Sequence, residues 1–476
     1  MIFNSFSYLI FFPLVTMIYF VLPRKTRWVW LLVSSSYFYM NWHSEYALLM
    51  AASTEVTYVC ALAVNRFKEK KVRKFVLILG ILFNVGMLGY FKYTGMIVEI
   101  IGRVMHFFGS EAVMPRVDIL LPVGISFFTF QALGYMIDVY RGKTKVQTNL
   151  FKYALFISFF PQLVAGPIER SSRLMKQLEK PHDFDARRAR DGLLIMLLGF
   201  FEKVVIADRA CIYVDAIFGN WAAASGAQIA LATVVFAIQD LCDFAGYSYI
   251  AIGTAKVLGV ELMTNFRQPY FAHSVKNFWA RWHISLSSWF RDYIYFPLGA
   301  GRGSKLRQTF NTMVVYTVSG LWHGAALKFV AWGMLNGALQ VVEGFLPVYR
   351  PKRFVKLHHV ACVLWTDFLI LITMLLFRAS SFMTAVKMLW RIPTAWGAEV
   401  FASGFSPAQA LCLGICIAVL FAIEVIHEKR RTLTELTDRL PGFVRGALYL
   451  LAVMAIVIFG VWGPGYSAQA FIYFQF

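Results

Sequence analysis

Apolar stretches of nearly membrane-spanning length recur from one end of the chain to the other, and short clusters rich in lysine and arginine separate them. Runs at 6–22, 28–42, 46–64 and 75–91 approach the about twenty residues that a helix needs to cross a bilayer. Arg24, Lys25 and Arg27 follow the first run, and a second basic cluster fills 65–74. Lysine and arginine collect on the cytoplasmic side of membrane proteins, which places both loops there and residue 1 outside; the parity of the intervening runs agrees. Residues 1–23 carry no charge ahead of the apolar core and no small-residue cleavage site after it, so they read as a retained span, not a signal peptide. The segment 96–108 is shorter and carries Glu99, Arg103 and His106, which predicts an amphipathic interfacial helix in place of a crossing.

The pattern changes at 121–131, where Pro122, Gly124, Ser126, Thr129 and Gln131 interrupt an apolar run, and again at 159–170 with Pro161, Gly166 and Pro167. Broken helix at membrane depth survives only where protein buries it or where it lines a cavity, so both stretches are expected as cavity walls. Between them and the next span, 170–190 is the most polar part of the chain and reads as a cytoplasmic loop, with docking of an anionic donor as its alternative use. Spans are expected at 192–218 and 226–258. The second holds Gln239, Asp240 and Asp243; the two acids, three residues apart, share a helix face that should line an interior. The stretch 274–297 carries Trp279, Trp282 and Trp289 with Lys276, Arg281 and Arg291, the indole-and-cation signature of a membrane interface. The glycine-rich turn after it, 299–305, lacks phosphate-loop spacing and reads as a basic cytoplasmic loop.

Residues 313–342 form an apolar run whose one formally charged side chain is Lys328 and whose one histidine is His323. An imidazole in such a run is a functional candidate; the competing reading is a packing residue whose ring N–H meets a carbonyl. Gly320 and Gly324 flank it. Glycine costs a helix about 1 kcal/mol against alanine, so the pair predicts that another backbone or a ligand approaches closely.

Composition sharpens this to a class. The chain of 476 residues is 59% hydrophobic and 15% charged, with mean hydropathy +0.60, which excludes an ordinary soluble domain and predicts an all-α, polytopic membrane protein in contact with a lipid bilayer. The formal net charge of +20 sits in short inter-run clusters with no Lys/Arg-lined polar face, so no nucleic-acid partner is expected. Cys60, Cys211, Cys242, Cys362, Cys412 and Cys416 lie mostly in apolar runs without zinc-ligand spacing; neither a disulfide framework nor a metal site is expected.

The segment Lys276-Asn277-Phe278-Trp279-Ala280-Arg281-Trp282-His283-Ile284-Ser285, followed by Leu321-Trp322-His323-Gly324, resembles the membrane-bound O-acyltransferase family. Asp243-Phe244-Ala245-Gly246-Tyr247-Ser248, Phe377-Arg378-Ala379 and the ending Phe471-Ile472-Tyr473-Phe474-Gln475-Phe476 look like its bacterial branch that modifies exported polymers. Ile294-Tyr295-Phe296-Pro297-Leu298-Gly299 is similar to the alginate O-acetyltransferase group; Tyr249, where that group often has an acid, departs from it.

The resemblance implies about eleven transmembrane helices, with re-entrant and interfacial helices, around a central funnel. It also implies one integral membrane domain over 1–476, with N-terminal spans at 1–110, a catalytic core at 118–346 and C-terminal spans at 358–476. His323 would be the catalytic histidine and His283 a second functional one, with Trp322, Arg281, Trp282, Ser285, Asp240 and Asp243 as candidate substrate-binding residues.

The chemistry so implied moves an acyl group, in this group acetyl, from a cytoplasmic thioester such as acetyl-CoA or an acyl-carrier protein toward hydroxyls of an exported polysaccharide. Transfer is direct or through an extracytoplasmic partner acyltransferase, in the bacterial cytoplasmic membrane and with no bound cofactor. A neutral buried imidazole suits the general base, positioned donors would hold the tetrahedral oxyanion, and Asp240 or Asp243 could orient the ring. No G-x-S-x-G context supports a covalent serine route. The alternatives are D-alanyl transfer to teichoic acid, a proton-coupled transporter or a scaffold; the absence of a copy of either histidine segment in the first half argues against a repeat-built carrier.

Overall fold

The structure is a computed structural model and describes residues 1–41, 44–109, 119–164, 166–346, 353–401 and 404–462. The end of the run expected at Trp42, the first residue of the core expected at 118–346, and the C-terminal match at 471–476 lie outside the described residues.

The first four helices follow the apolar runs: α1 (Phe6–Val21), α2 (Arg27–Met40), α3 (Tyr46–Arg66) and α4 (Lys70–Phe107). The last corrects the expectation of a span and a separate interfacial helix. Nothing between Phe91 and Met96 stops a helix, and α4 runs unbroken for 38 residues. At about 1.5 Å per residue that exceeds the about 30 Å hydrocarbon core. Next come α5 (Ile125–Tyr140), α6 (Leu150–Ser158), the single turn α7 (Phe160–Leu163) and α8 (Ser171–Leu178). Gly124 enters α5 with φ 76°, a left-handed conformation that glycine adopts freely. The breaks at 121–124 and 159–170 thus fall where the prolines and glycines put them.

The helix α9 (Ala186–Phe200) continues through a π-helical segment, Phe201–Ala207, into α10 (Asp208–Gly219), and α11 (Gly226–Val257) packs along α9. Backbone approach sets that packing: a Cβ on Gly199 would lie 2.6 Å from the Gly246 carbonyl oxygen. The most apolar window of α11 is 83% buried, which makes it the central post of the molecule. Beyond it lie α12 (Val275–Arg281), α13 (Ile284–Phe290), α14 (Lys305–His323), α15 (Leu327–Phe345), α16 (Val355–Arg378), α17 (Phe382–Thr394), α18 (Pro407–Glu428), α19 (Leu433–Thr437) and α20 (Gly442–Phe459). Two breaks interrupt this part of the chain. The interfacial stretch is two short helices broken at Trp282–His283, and the apolar run 313–342 turns back on itself after His323.

Among the described residues the fold is all-α, and six helices (α3, α4, α11, α16, α18 and α20) are long and apolar enough to cross a membrane. No disulfide joins the six cysteines. The basic connections gather at one end of the molecule: Arg24 pairs with Asp183 at 2.6 Å, Arg73 donates to the Tyr140 carbonyl at 3.0 Å, and Gln147 donates to Glu179 at 2.6 Å.

Candidate functional site

Two helix breaks carry the two histidines. At the first, His283 stands between α12 and α13 with φ 44°, a conformation costly for a residue with a Cβ. Hydrogen bonds hold the break: the Ser285 hydroxyl donates to Asn265 Oδ1 at 2.6 Å and accepts the Ile168 N–H at 3.0 Å, and Asn265 Nδ2 donates to Ser248 at 2.9 Å. The broken segment at 159–170 therefore props the broken segment at 282–285. Beside it Glu169, in the link between α7 and α8, is buried, and its carboxylate accepts the Met263 N–H.

At the second break, α14 ends on His323 and α15 begins at Leu327. A helix end in apolar surroundings leaves carbonyls that must find donors. Helix α4 supplies them: the Tyr93 hydroxyl donates to the Leu321 carbonyl at 2.6 Å, and the Lys92 ammonium donates to the Trp322 carbonyl. Lys328, the lone charge of the run, does the same for the end of α16, donating to the Ala379 carbonyl at 2.7 Å and the Phe377 carbonyl at 3.2 Å. Each cation sits at the negative end of a helix dipole.

The α14–α15 hairpin closes backbone to backbone. A Cβ on Gly320 would lie 2.2 Å from the Phe329 carbonyl oxygen, and one on Gly333 would lie 2.2 Å from the Tyr316 carbonyl oxygen. At Gly320, another backbone does come close. Gly333→Ala should force the two helices apart, at the about 1–3 kcal/mol typical of overpacking. The check is thermal unfolding of the detergent-purified variant, which should begin at clearly lower temperature; an unchanged transition would contradict the backbone contact.

These restraints fix the rings. His323, 3% exposed, meets the faces or edges of Trp322, Trp332 and Phe377 with centroids at 5.0, 4.9 and 5.7 Å. His283, 1% exposed, meets Phe244 at 4.6 Å and Trp322 at 5.6 Å. Both imidazoles thus pack on one indole, Trp322, over which Lys92 also lies at 5.8 Å. Trp332 leads to Trp279 at 5.6 Å, and the indole N–H groups of both lack a partner among the described residues, as does Oδ1 of Asn336, one turn beyond Trp332; Asp240, buried on α11, also has an Oδ1 without a partner there but pairs with neither histidine among the described residues. Leaving a buried polar group unmade costs about 1–3 kcal/mol, so such a concentration beside a histidine suits a place where a polar substrate makes the missing bonds.

The remaining candidates separate from this centre. Asp243 accepts from Lys203 at 2.5 Å within a buried ion triad completed by Asp208 at 2.9 Å. Arg281 pairs with Glu428 at 2.7 Å, tying α12 to α18. Trp282 stacks on Phe278 at 5.4 Å and meets Phe266 edge-on at 5.1 Å in the core. Ser285 holds the His283 break. Among the described residues no three His, Cys, Asp or Glu side chains converge to hold a metal. Sequence reasoning missed Lys92, Tyr93 and Trp332. The first two left a signal, since Lys92 directly follows the apolar run 75–91 and a lysine there is costly at membrane depth unless it has a task.

The profile of the MBOAT, membrane-bound O-acyltransferase family, matches residues 144–386. A protein of Pseudomonas aeruginosa described as "Probable alginate O-acetylase" is 35% identical over 392 residues, 82% of this chain and 74% of that protein. A peptidoglycan O-acetyltransferase of Helicobacter pylori is 33% identical over 390 residues, 76% of this chain and 72% of that protein. A teichoic acid D-alanyltransferase of Bacillus subtilis is 28% identical over 256 residues, 50% of this chain and 62% of that protein.

Proposed function

We propose, from the premise that this chain belongs to the membrane-bound O-acyltransferase family, that it moves an acetyl group from a cytoplasmic thioester donor toward hydroxyls of an exported polysaccharide, with His323 as general base. The chain is an acyltransferase and a multi-pass membrane protein. The observation that carries the finer reading is the His323 ring itself, fixed at a helix break that α4 and α15 hold from two sides, next to the Trp332 indole, whose N–H lacks a partner among the described residues.

The reaction needs little else. A ring nitrogen of His323 takes the proton of the acceptor hydroxyl as its oxygen attacks the thioester carbonyl, and the carbonyl electrons move onto oxygen. The N–H groups of Trp332 and Trp279 are the donors we assign to that oxyanion, since hydrogen bonds preorganised in a site shut off from water stabilise developing charge best. Collapse breaks the C–S bond, and the thiolate recovers the proton from the imidazolium. His283, on the other side of Trp322, lines the donor's approach. Asp240, with a buried carboxyl oxygen that lacks a partner among the described residues, belongs with the acceptor's hydroxyls. Acetyl is favoured over D-alanyl because the acetyl-transferring relatives match more of the chain at higher identity.

The test is the base-labile acetyl content of exported polymer in cells with and without the gene. Loss of ester with unchanged polymer export supports acyl transfer. Unchanged ester with altered export would support a carrier.

Donor access requires the basic end of the molecule to face the cytoplasm and residue 1 to face outside. With native cysteines replaced, Lys70→Cys should resist a membrane-impermeant maleimide in intact cells and react after permeabilisation. Labelling in intact cells would reverse the orientation.

A further inference from the structure

Away from the histidines, α9, α18, α19, α20 and the end of α11 enclose a half-open groove of about 450 Å³. Its length is apolar, walled by Leu194, Leu198, Phe201, Ile423, Leu448 and Ile456. The helix α20 makes its outer wall and barely belongs to the protein core: only Ile456 of its eighteen residues is buried. Helices α18 and α20, both long and apolar enough to cross a membrane, flank this slot.

One end of the slot differs. Asp191 at the start of α9, Lys256 at the end of α11, His427 at the end of α18 and the hydroxyls of Thr432, Thr434 and Thr437 line it together. Asp191 is occupied by Arg190, which also reaches Asp438 at 2.6 Å. The Lys256 ammonium makes no hydrogen bond or ion pair among the described residues. Lys429, Arg430 and Arg431, all exposed, connect α18 to α19 beside it. This is the basic end, since the Gly259 turn that follows α11 packs on His182 of the 170–190 stretch.

We propose that this groove binds one anionic phospholipid, with an acyl chain along the apolar wall and the phosphate at Lys256. The apolar wall alone does not choose among lipids, because every tail is as apolar as leucine. Selection comes from the head: a basic pocket between transmembrane helices attracts anionic headgroups, each cation near the surface being worth about fivefold in affinity. The Thr432 and Thr434 hydroxyls pair at 3.0 Å, which leaves one of their two protons for a phosphate oxygen, and the seated lipid joins α20 to α9 and α18 where the protein itself leaves a gap.

The probe is phosphatidylglycerol against phosphatidylcholine, added to detergent-purified protein and read by native mass spectrometry. The wild-type chain should keep one phosphatidylglycerol in preference to phosphatidylcholine. Lys256→Ala should weaken phosphatidylglycerol retention about fivefold and leave phosphatidylcholine unchanged. Ala452→Trp, which fills the groove from α20, should abolish retention of both while the protein stays monodisperse. Equal retention of the two lipids by wild type, or phosphatidylglycerol binding unaffected by both substitutions, would overturn the proposal. So would a lipid-free dimer that Ala452→Trp converts to monomer, since the groove would then be an interface between copies.

Discussion

His323→Gln lowers the acetyl content of exported polymer by a factor of about a hundred to ten thousand, while the variant inserts and accumulates as wild type does. The glutamine amide keeps a polar side chain of similar length against Trp322, Trp332 and Phe377 but cannot take a proton at neutral pH. His323→Ala loses the same chemistry and also leaves a hole in a ring of aromatic side chains, so its loss of activity is accompanied by a stability cost of the large-to-small kind. The glutamine variant therefore isolates proton transfer from packing. Were His323 a packing residue, glutamine would be tolerated and alanine would not; the general-base reading has both inactive. Quantifying base-released acetate at matched membrane abundance separates the two.

A second expected result concerns Lys203, which no step of the reaction uses. Its ammonium bridges Asp208 at 2.9 Å and Asp243 at 2.5 Å, with all three side chains buried. Lys203→Met leaves two carboxylates facing each other in the interior, at the about 3–5 kcal/mol that removing one partner of a buried pair costs. The variant should fail to accumulate as a monodisperse protein in detergent. Neutralising the whole triad, with Lys203→Met, Asp208→Asn and Asp243→Asn together, should restore most of the folded yield, because the penalty belongs to uncompensated charge. Acetylation by the triple variant then decides what Asp243 does: activity near wild type makes the triad a clasp between the π-helical segment, α10 and α11, whereas a folded but inactive triple variant gives Asp243 a part in the reaction. Folded, abundant Lys203→Met protein would contradict the buried triad itself.

The sequence makes the frame of this molecule readable. The runs at 6–22, 46–64 and 226–258 end within two residues of α1, α3 and α11, because apolar length and flanking cations are the quantities that a bilayer selects. It also marks the breaks at 121–124 and 159–170, where proline and glycine act locally. The breaks that matter most are not local. Nothing near His283 announces φ 44°; Asn265, Ser248 and the Ile168 N–H, three other parts of the chain, hold it through Ser285. Nor does 313–342 contain a proline to show that it turns after His323, and the donors that make the turn tolerable, Lys92 and Tyr93, are about 230 residues away. The fold packs the two motif histidines on one indole, whereas it turns Arg281 and Trp282 elsewhere. Next to His283 in the chain, they face Glu428 and the Phe266–Phe278 core. Helix direction, which changes at a break, decides what neighbours share.

The most direct measurement follows labelled acetyl across inverted membrane vesicles, whose exposed face is cytoplasmic and whose lumen keeps any outer-face partner. Vesicles carrying the wild-type chain, given a radiolabelled acetyl thioester outside, should accumulate base-labile label on hydroxyl-bearing material in the lumen. Vesicles carrying an equal amount of His323→Gln protein should accumulate none above vesicles without the chain. Lumenal label at the wild-type rate with His323→Gln would contradict the account.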